Sequence, residues 1–449
     1  MEEGLMSTFH KMEIKCGLFE IGQDEHFPVW DLLRVYIYNS YIKQQGNAQA
    51  PRKRTPLPVV IKGTASNILY LFKSLWDCMR LPFYRGRMFF YESAHEVDEK
   101  GCYYNHISRQ LIEAVPPHKR VVINCRDTSP TRFHDLNINI LGLFKIGSIW
   151  ESALKNDDFH KIKKAVKEYF NKELPYDSVN SYFVTQKIRI KRYGFLFKLL
   201  KPEKVFVAAD IRKFIYIAAK RRGIETFEMQ HAGIVFEYPS YSYPTEVTRE
   251  WNIAFADNYL QFGPAWSGVN NIPAKRWVLG NDYFFPQKSE RYFNENYVLL
   301  ISNFKHAYYL KPLARELSGM LKDKQIIYKL HPNEFKRSEE YKDEFKDLPN
   351  VHVVDKDYNL QSLIAYTDMV VVIYSSVCFE ALNQGKKVAV LMRDNYYILK
   401  DTLKNVDLVK NVDSARDIAE FYNADLSSVD NYTFYSHFDN QIANEILRV

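Results

Sequence analysis

Residues 369–391 read MVVVIYSSVCFEALNQGKKVAVL, and this stretch decides the fold class. Four consecutive apolar residues, 370–373, predict a buried strand, because a strand covered on both faces loses its polar alternation. Ser375 and Ser376 follow where a helix begins, and Gly385 ends that helix before a second apolar strand at 387–391. A strand–helix–strand unit predicts a parallel sheet with the serines at its carboxyl edge, where open α/β sheets bind ligands.

A second strand, QIIYKL at 325–330, runs directly into His331 and Pro332. Because proline stops the strand and fixes the backbone, we expect the imidazole to point outward from the carboxyl edge of the sheet. We also expect this strand to neighbour the one before the serines, so that His331, Ser375 and Ser376 share one crevice. Serines that only cap a helix and a structural histidine are the alternatives. Together the features favour a site for a nucleotide phosphate.

Two strand ends in the first half of the chain carry groups that can move a proton. The strand 204–210 ends on Asp210, and the strand 226–229 runs into Gln230 and His231. A carboxylate or an imidazole at this edge can take the proton of a hydroxyl group. Asp210 as a helix cap and His231 as a buried structural histidine remain the alternatives.

The segments KLHP (329–332) and YSS (374–376) resemble the HP and SS motifs of bacterial surface-polysaccharide glycosyltransferases. These families include sialyltransferases, Kdo transferases of capsule and lipopolysaccharide synthesis, and related teichoic-acid polymerases. The resemblance spans 204–391 and implies the GT-B fold, in which two Rossmann-like doubly wound α/β domains face each other across the active-site cleft. Two segments depart from the family pattern: QHAG (230–233) stands for a QHG turn, and Asp282 stands where the family has proline.

The resemblance implies a Leloir-type enzyme that transfers an acidic sugar, such as sialic acid, Kdo or a related nonulosonate, from a CMP-activated donor. The acceptor would be a glycan or lipid-linked glycan of capsule or lipopolysaccharide, and the reaction would be inverting and independent of metal. A UDP-hexose-dependent glycosyltransferase and a CDP-polyol phosphotransferase remain alternatives. So does a protein of another class, a non-catalytic subunit that binds a glycan or a nucleotide sugar.

Candidate site residues divide between the two expected domains. By resemblance the HP histidine and the serines hold the donor phosphate, while a carboxylate one turn into the serine helix can accept ribose hydroxyl groups. The donor candidates are Asn303, Lys329, His331, Pro332, Ser375, Ser376 and Glu380. The catalytic candidates are Asp210 and His231, and the acceptor-side candidates are Glu92, His95, Gln230 and Glu237.

No metal and no other cofactor is expected. Asp355 and Asp357 form a DxD pattern, which occurs in metal-dependent sugar transferases, but His331, Lys329 and a helix dipole would already supply positive charge. The five cysteines are odd in number and widely spaced, so we interpret them as reduced thiols rather than as disulfides or metal ligands.

The chain length of 449 residues suits two domains. We expect an acceptor-binding domain at 1–286, a nucleotide-sugar-binding domain at 296–428, and a segment at 429–449 that crosses back to the first domain. A charged start and the lack of an apolar run of ~20 residues predict a cytoplasmic protein. The net charge of +7 and the basic stretch 187–201 suit a solvated surface or contact with the inner face of the membrane. The basic stretches lack a nucleic-acid-reading motif, so no nucleic acid partner is expected.

Overall fold

The structure, a computed structural model, describes most of the chain. The described residues are 4–22, 27–43, 76, 79–93, 96–98, 100–124, 131–133, 135–137, 152–208, 212–231, 233–247, 253–268, 271–285, 290–294, 296–392, 402–403, 406–425 and 433–448.

The first domain is built on a parallel sheet of seven strands in the order β5-β4-β1-β6-β7-β8-β9. Its strands are β1 (Met88–Glu92), β4 (Arg120–Asn124), β5 (Leu136–Asn137), β6 (Lys204–Ala208), β7 (Glu225–Met229), β8 (Asn258–Gln261) and β9 (Lys275–Val278). Every residue of β1 is buried, as expected for a central strand with both faces covered. The first strand of the domain thus lies inside the sheet, and the chain winds outward from it in both directions.

Helices cover this sheet, and a small hairpin lies near its carboxyl edge. The helices are α1 (Leu5–Lys15), α2 (Val29–Ile37), α3 (His106–Ala114), α4 (Asn156–Phe170), α5 (Tyr176–Leu200) and α6 (Lys213–Lys220). The hairpin pairs β2 (Glu96–Val97) with β3 (Tyr103–Tyr104) in antiparallel register. Its turn is closed by Asp98, whose Oδ1 accepts hydrogen bonds from the backbone N–H groups of Lys100 and Cys102 at 2.9 Å each.

The second domain is built on a parallel sheet of six strands in the order β12-β11-β10-β13-β14-β15. The strands are β10 (Tyr297–Ile301), β11 (Gln325–Lys329), β12 (Val351–Val354), β13 (Thr367–Val372), β14 (Lys387–Leu391) and β15 (Val409–Val412). The helices are α7 (Ala307–Met320), α8 (Ser338–Glu344), α9 (Leu360–Tyr366), α10 (Val377–Asn383) and α11 (Ala415–Asn423). The two sheets confirm the prediction of two doubly wound α/β domains.

The strand that carries His331 and the strand that precedes Ser375 are not neighbours, so that prediction is wrong. The first strand of the domain, β10, pairs with β11 on one side and with β13 on the other. Because adjacent strands lie about 4.8 Å apart, His331 and the serines start from points about 10 Å apart along one edge. The crevice where the winding reverses lies between β10 and β13, on the serine side.

The C-terminal residues 433–448, which include α12 (Asn440–Leu447), contact the first domain. Backbone N–H groups of Ser436 and Asp439 donate to the carbonyl oxygens of Phe262 and Leu279, each at 2.8 Å. Lys204 at the start of β6 donates from Nζ to the carbonyl oxygen of Ile446 at 2.8 Å.

One apolar cluster extends through both sheets. Phe206 and Trp266 of the first domain belong to it together with Leu299, Val370 and Phe379 of the second. The rings of Trp266 and Phe379 meet with centroids 4.6 Å apart, so the domains share buried contacts. None of the helices in the described part of the chain is both long and apolar enough to cross a bilayer.

Candidate active site between the two domains

A cavity of about 670 Å³ lies between the two domains and is lined by both. The first domain contributes His106, Arg109, His231, Gly233, Phe262, Tyr283 and Phe284; the second contributes Asn359, Leu360, Gln361, Ser376 and Glu380; the C-terminal segment contributes Tyr435. A cavity of this size can hold a ligand the size of a nucleotide. It joins the first-domain candidate His231 to the donor candidates Ser376 and Glu380.

The turn that carries His231 packs directly on the second domain. The preceding Gln230 is fully buried, and its Oε1 accepts a hydrogen bond from the backbone N–H of Phe262 at 2.9 Å. A Cβ atom on Gly233 would lie 2.6 Å from the ring of Phe379 in α10. Glycine is therefore required by the close approach of the two domains at this point.

Glu380 carries the most informative pKa of the cavity. It is buried, and burial raises the pKa of its carboxyl group to about 7, while a hydrogen bond from Gln361 partly opposes the rise. Nε2 of Gln361 donates to Oε2 of Glu380, and Oε1 of Gln361 accepts from Gln384 at 3.1 Å. This chain fixes the amide of Gln361, so the carboxyl group of Glu380 is held in place and titrates near neutral pH.

The two serines have different surroundings. Oγ of Ser375 accepts a hydrogen bond from the backbone N–H of Val377 at 3.3 Å, so this half-buried residue helps to begin α10. Ser376 is exposed and lines the cavity. Of the pair, Ser376 is thus the residue that meets the interdomain space.

His331 does not line this cavity. Nδ1 of His331 accepts a hydrogen bond from the backbone N–H of Asn333 at 3.1 Å. The backbone N–H of His331 donates to the carboxylate of Glu334 at 3.0 Å. The histidine thereby caps the short 3-10 helix that Pro332, which is exposed, begins. Its ring lies 5.5 Å from that of Phe304 in the loop after β10. The expected meeting of His331 with the serines is therefore not seen in the cavity lining, because β10 and its loop lie between them.

The other donor candidates also lie outside the cavity lining. Lys329 is only 9% exposed, its Nζ donates to the backbone carbonyl of Asp355, and burial lowers its pKa to about 8. Oδ1 of Asn303 accepts a hydrogen bond from the backbone N–H of Lys305 at 3.1 Å. The carboxylate of Asp355 accepts from the hydroxyl of Ser338 at 2.8 Å. These contacts organise the loops at the carboxyl edge of the second sheet.

The acceptor-side candidates are dispersed. Glu92 ends β1 with no exposed surface and accepts a hydrogen bond from the hydroxyl of Ser108 at 2.7 Å. Glu237 is half-buried. The pKa of Tyr38 is raised mainly by burial and to a smaller extent by the charge of Glu237. Asp210 and His95 lie outside the described residues.

Several cavity residues are missing from the sequence-based set. His106 is the first residue of α3, and its Nδ1 lies 2.5 Å from Oε1 of Glu96 in β2. Its ring stacks on Tyr283 with centroids 4.2 Å apart. Asn105 caps α3 by accepting from the N–H of Ile107 at 2.9 Å. An asparagine before an amphipathic helix was the signal that could have placed His106 at the sheet edge.

Asp282, which departs from the family pattern, ties three segments together. Its Oδ2 accepts from the side chain of Gln110 in α3 at 2.6 Å, and its Oδ1 accepts from the backbone N–H of Phe438 at 3.2 Å and pairs with Nδ1 of His437 at 2.8 Å. Burial opposes ionisation of Asp282, but these hydrogen bonds outweigh it and lower the pKa.

Across the described ranges, no group of three or more His, Cys, Asp or Glu side chains is arranged to hold a metal ion.

One family model matches part of the chain. A family model described as "Capsule polysaccharide biosynthesis protein" matches residues 309–433, so the second domain is similar to proteins of capsule synthesis. The match covers less than half of the chain. Comparison with curated proteins gave no match.

Solved structures with a similar arrangement are distant. UDP-GlcNAc 2-epimerase from Neisseria meningitidis bound to UDP-GlcNAc is 14% identical with a TM-score of 0.46, over 81% of this chain and 98% of that one. The epimerase from Methanocaldococcus jannaschii is 13% identical with a TM-score of 0.45, over 80% and 98%. A glycotransferase of kitacinnamycin is 11% identical with a TM-score of 0.40, over 75% and 90%. At such low values, neither fold nor function is carried over from them.

Proposed function

We propose that this chain is a glycosyltransferase of bacterial surface-polysaccharide synthesis that acts in the cavity between its two domains. The donor is a CMP-activated acidic sugar of the sialic acid, Kdo or nonulosonate type, and the acceptor is a glycan or lipid-linked glycan. The observation that carries the proposal is the joint lining of one cavity by His231, Ser376 and Glu380, on a chain whose second domain is similar to capsule synthesis proteins.

In this proposal the second domain holds the donor. Glu380 accepts hydrogen bonds from the ribose hydroxyl groups, and Ser376 contacts the phosphate. The loops that carry Asn303 and His331 extend the same sheet edge, and movement of these loops within the second domain would bring them to the phosphate. Lys329 and His331 would offset the charge of the leaving phosphate, and no metal is part of the proposed reaction.

The first domain holds the acceptor, with His231 at the carboxyl edge of its sheet and with His231 or Asp210 as the candidate base. Water is excluded when the domains close, and this suppresses hydrolysis of the donor. Lys191 and Lys198, which are exposed and lie two turns apart on one face of α5, would rest against the anionic inner surface of the membrane on which lipid-linked acceptors are presented.

The test is turnover of a panel of CMP-, CDP- and UDP-activated sugars, measured as nucleotide release with and without capsule-type acceptor glycans. Release from CMP-sialic acid or CMP-Kdo supports the proposal. Release from UDP-hexoses alone or from CDP-polyols alone would replace the donor while keeping the enzyme class. Calorimetric titration with CMP, CDP and UDP adds an independent reading, since binding without any turnover would indicate a non-catalytic subunit.

Glu380→Ala supplies the matched test of the donor site. Loss of the carboxyl group removes the ribose contact, so CMP affinity is expected to fall by about tenfold to a hundredfold, which corresponds to one or two hydrogen bonds to a charged group. Glu339→Ala, on the exposed surface of α8, is the control and should bind CMP as the wild type does. Unchanged CMP binding in Glu380→Ala would contradict the donor site.

A further inference from the structure

Glu96 and His106 form a hydrogen-bonded pair on the first-domain side of the cavity. Nδ1 of His106 lies 2.5 Å from Oε1 of Glu96, and the backbone N–H of His106 donates to Oε2 at 3.3 Å. The side chains are 15% and 18% exposed, so the pair is largely withdrawn from solvent while His106 lines the cavity. A carboxylate that binds one ring nitrogen fixes the tautomer and the orientation of the imidazole.

Rigid elements hold this histidine in place. Asn105 has no exposed surface, and its Nδ2 donates to the carbonyl oxygen of Ala208 at the end of β6 at 3.2 Å. The carbonyl oxygen of His106 accepts from Nδ2 of Asn281 at 3.0 Å. The ring itself stacks on Tyr283 at an interplanar angle of 25°. His106 is thus anchored to the carboxyl edge of the first sheet, where an acceptor would bind.

The pair lies close to the donor side of the cavity. Partial burial raises the pKa of the Tyr283 phenol, and the charges of Glu96 and Glu380 raise it further. Tyr283 is therefore within electrostatic reach of one carboxyl group from each domain. His106 stacks on that same ring, so an acceptor beside His106 would face a donor sugar held near Glu380.

We propose that His106 is the general base of the transfer reaction and that Glu96 is its positioning residue. The inference rests on the proposed function and adds to it the group that accepts the proton. Because Nδ1 is engaged by Glu96, the proton is exchanged at Nε2, and the carboxylate stabilises the imidazolium that results.

The step balances without any further reactant. The acceptor hydroxyl oxygen forms a bond to the anomeric carbon of the donor sugar, and the bond from that carbon to the phosphate oxygen breaks. The nucleotide leaves with the electron pair of the broken bond, and the acceptor proton moves to Nε2 of His106. Release of that proton to water restores the base.

His106→Asn tests the base with the sugar nucleotide that gives turnover in the donor panel. We expect kcat to fall about 10²-fold to 10⁴-fold, the range of a lost general base, while KM for the donor and CMP affinity stay unchanged. The acidic limb of the pH profile of kcat should disappear when the donor is saturating, because the titration of Glu380 then acts on KM. His160→Asn, on the exposed face of α4, is the matched control and should leave all four quantities unchanged.

Glu96→Gln tests the positioning role. The amide keeps the size of the side chain but cannot stabilise an imidazolium, so we expect a smaller loss in kcat and an acidic limb displaced to lower pH. Arg109, His231, Glu380 and Tyr283 line the same cavity as His106, so all four are left unchanged in this variant and the displacement reports on Glu96. Glu339→Gln is the control.

The outcomes separate this inference from the proposed function. If the wild type turns over a sugar nucleotide and His106→Asn keeps its kcat and its acidic limb, the base assignment is overturned and the glycosyltransferase stands. If the wild type turns over none, the proposed function fails first. Should His106→Asn lower the thermal midpoint, Glu96→Gln decides: an unchanged acidic limb in that variant overturns the inference.

Discussion

Glu380 is a carboxylic acid whose burial makes the stability of the fold depend on pH. Burial raises its pKa from 4.5 to about 7. Below pH 4.5 the folded and unfolded states both hold the proton. Between these two values the unfolded state releases the proton and the folded state keeps it, so the free energy of unfolding falls as the pH rises. By pH 8 the loss reaches about 3 kcal/mol, at 1.36 kcal/mol per pKa unit.

Glu380→Gln should therefore stabilise the protein above neutral pH. The amide keeps an oxygen that can accept from Gln361, but it cannot ionise. We expect its thermal midpoint to exceed that of the wild type at pH 8 and the difference to shrink toward pH 5. Thermal unfolding at both pH values measures this, with the exposed Glu339→Gln as the control. A difference that does not depend on pH would contradict the raised pKa.

Gly233 is a point of close approach between the two domains in the cavity wall. An alanine Cβ would lie 2.6 Å from the Phe379 ring. We expect Gly233→Ala to cost about 1–3 kcal/mol, as overpacking does, and Phe379→Leu in the same chain to recover part of that loss. Urea unfolding of the single and double variants gives the coupling. Gly268→Ala, whose Cβ would meet nothing within 4 Å, is the control. Additive losses would show that the two residues do not press on each other.

At the scale of elements, local patterns predicted what local forces determine. The continuous apolar run of β13 and the glycine stop after α10 need no distant partner, and β14 has the predicted bounds. The order of the strands could not be predicted from local patterns, because it depends on where the first strand of the domain lies in the sheet. Nothing local in β11 or β13 reveals that β10 separates them.

The sequence likewise predicted some residues of the candidate site and missed others. Ser376, Glu380 and His231 follow predicted strands, and they line the cavity. Glu96 lies in a hairpin of two-residue strands, too short to produce a periodic pattern, so its pairing with His106 is visible only in three dimensions.

Helices α1 and α2 are joined by a buried ion pair. Arg34 and Glu13 have no exposed surface, and the guanidinium donates to both carboxylate oxygens at 2.7 and 2.9 Å. Nη2 of Arg34 also donates to the carbonyl oxygen of Ser242 at 3.0 Å, which ties the two helices to the segment after His231. Burial opposes the charge on Arg34, but Glu13 and Tyr243 outweigh it and raise its pKa.

Arg34→Met should destabilise the first domain strongly. It leaves the carboxylate of Glu13 buried without its cation, which costs about 3–5 kcal/mol in comparable cases. The double variant Glu13→Leu/Arg34→Met removes both charges and should recover much of that loss. The midpoint of urea unfolding measures both. A double variant less stable than Arg34→Met alone would show that the hydrogen bond from Nε1 of Trp30 to Glu13 stabilises the fold by more than the unpaired carboxylate costs.

At the scale of the whole molecule, the C-terminal segment 433–439 connects the two domains at the cavity. Its backbone pairs with the first domain through Phe262 and Leu279, and the N–H of Tyr435 donates to Oδ1 of Asn383 in α10 at 2.9 Å. The ring of Tyr435 packs 3.9 Å from that of Phe284 and forms part of the cavity wall. Changes that displace this segment should therefore alter the binding site as well as the stability.

Gly263→Ala tests this connection without removing any side chain of the cavity. The new Cβ would lie 2.4 Å from the carbonyl oxygen of Phe434, a backbone atom that can move only with its segment. We expect a lower thermal midpoint together with weaker CMP binding, because Tyr435 follows Phe434 directly and its ring is displaced from the wall. Gly319→Ala, at the end of α7 with nothing within 4 Å of its Cβ, should change neither quantity. If Gly263→Ala loses stability but binds CMP with wild-type affinity, the segment supports the fold without shaping the site, and the nucleotide must contact other walls of the cavity.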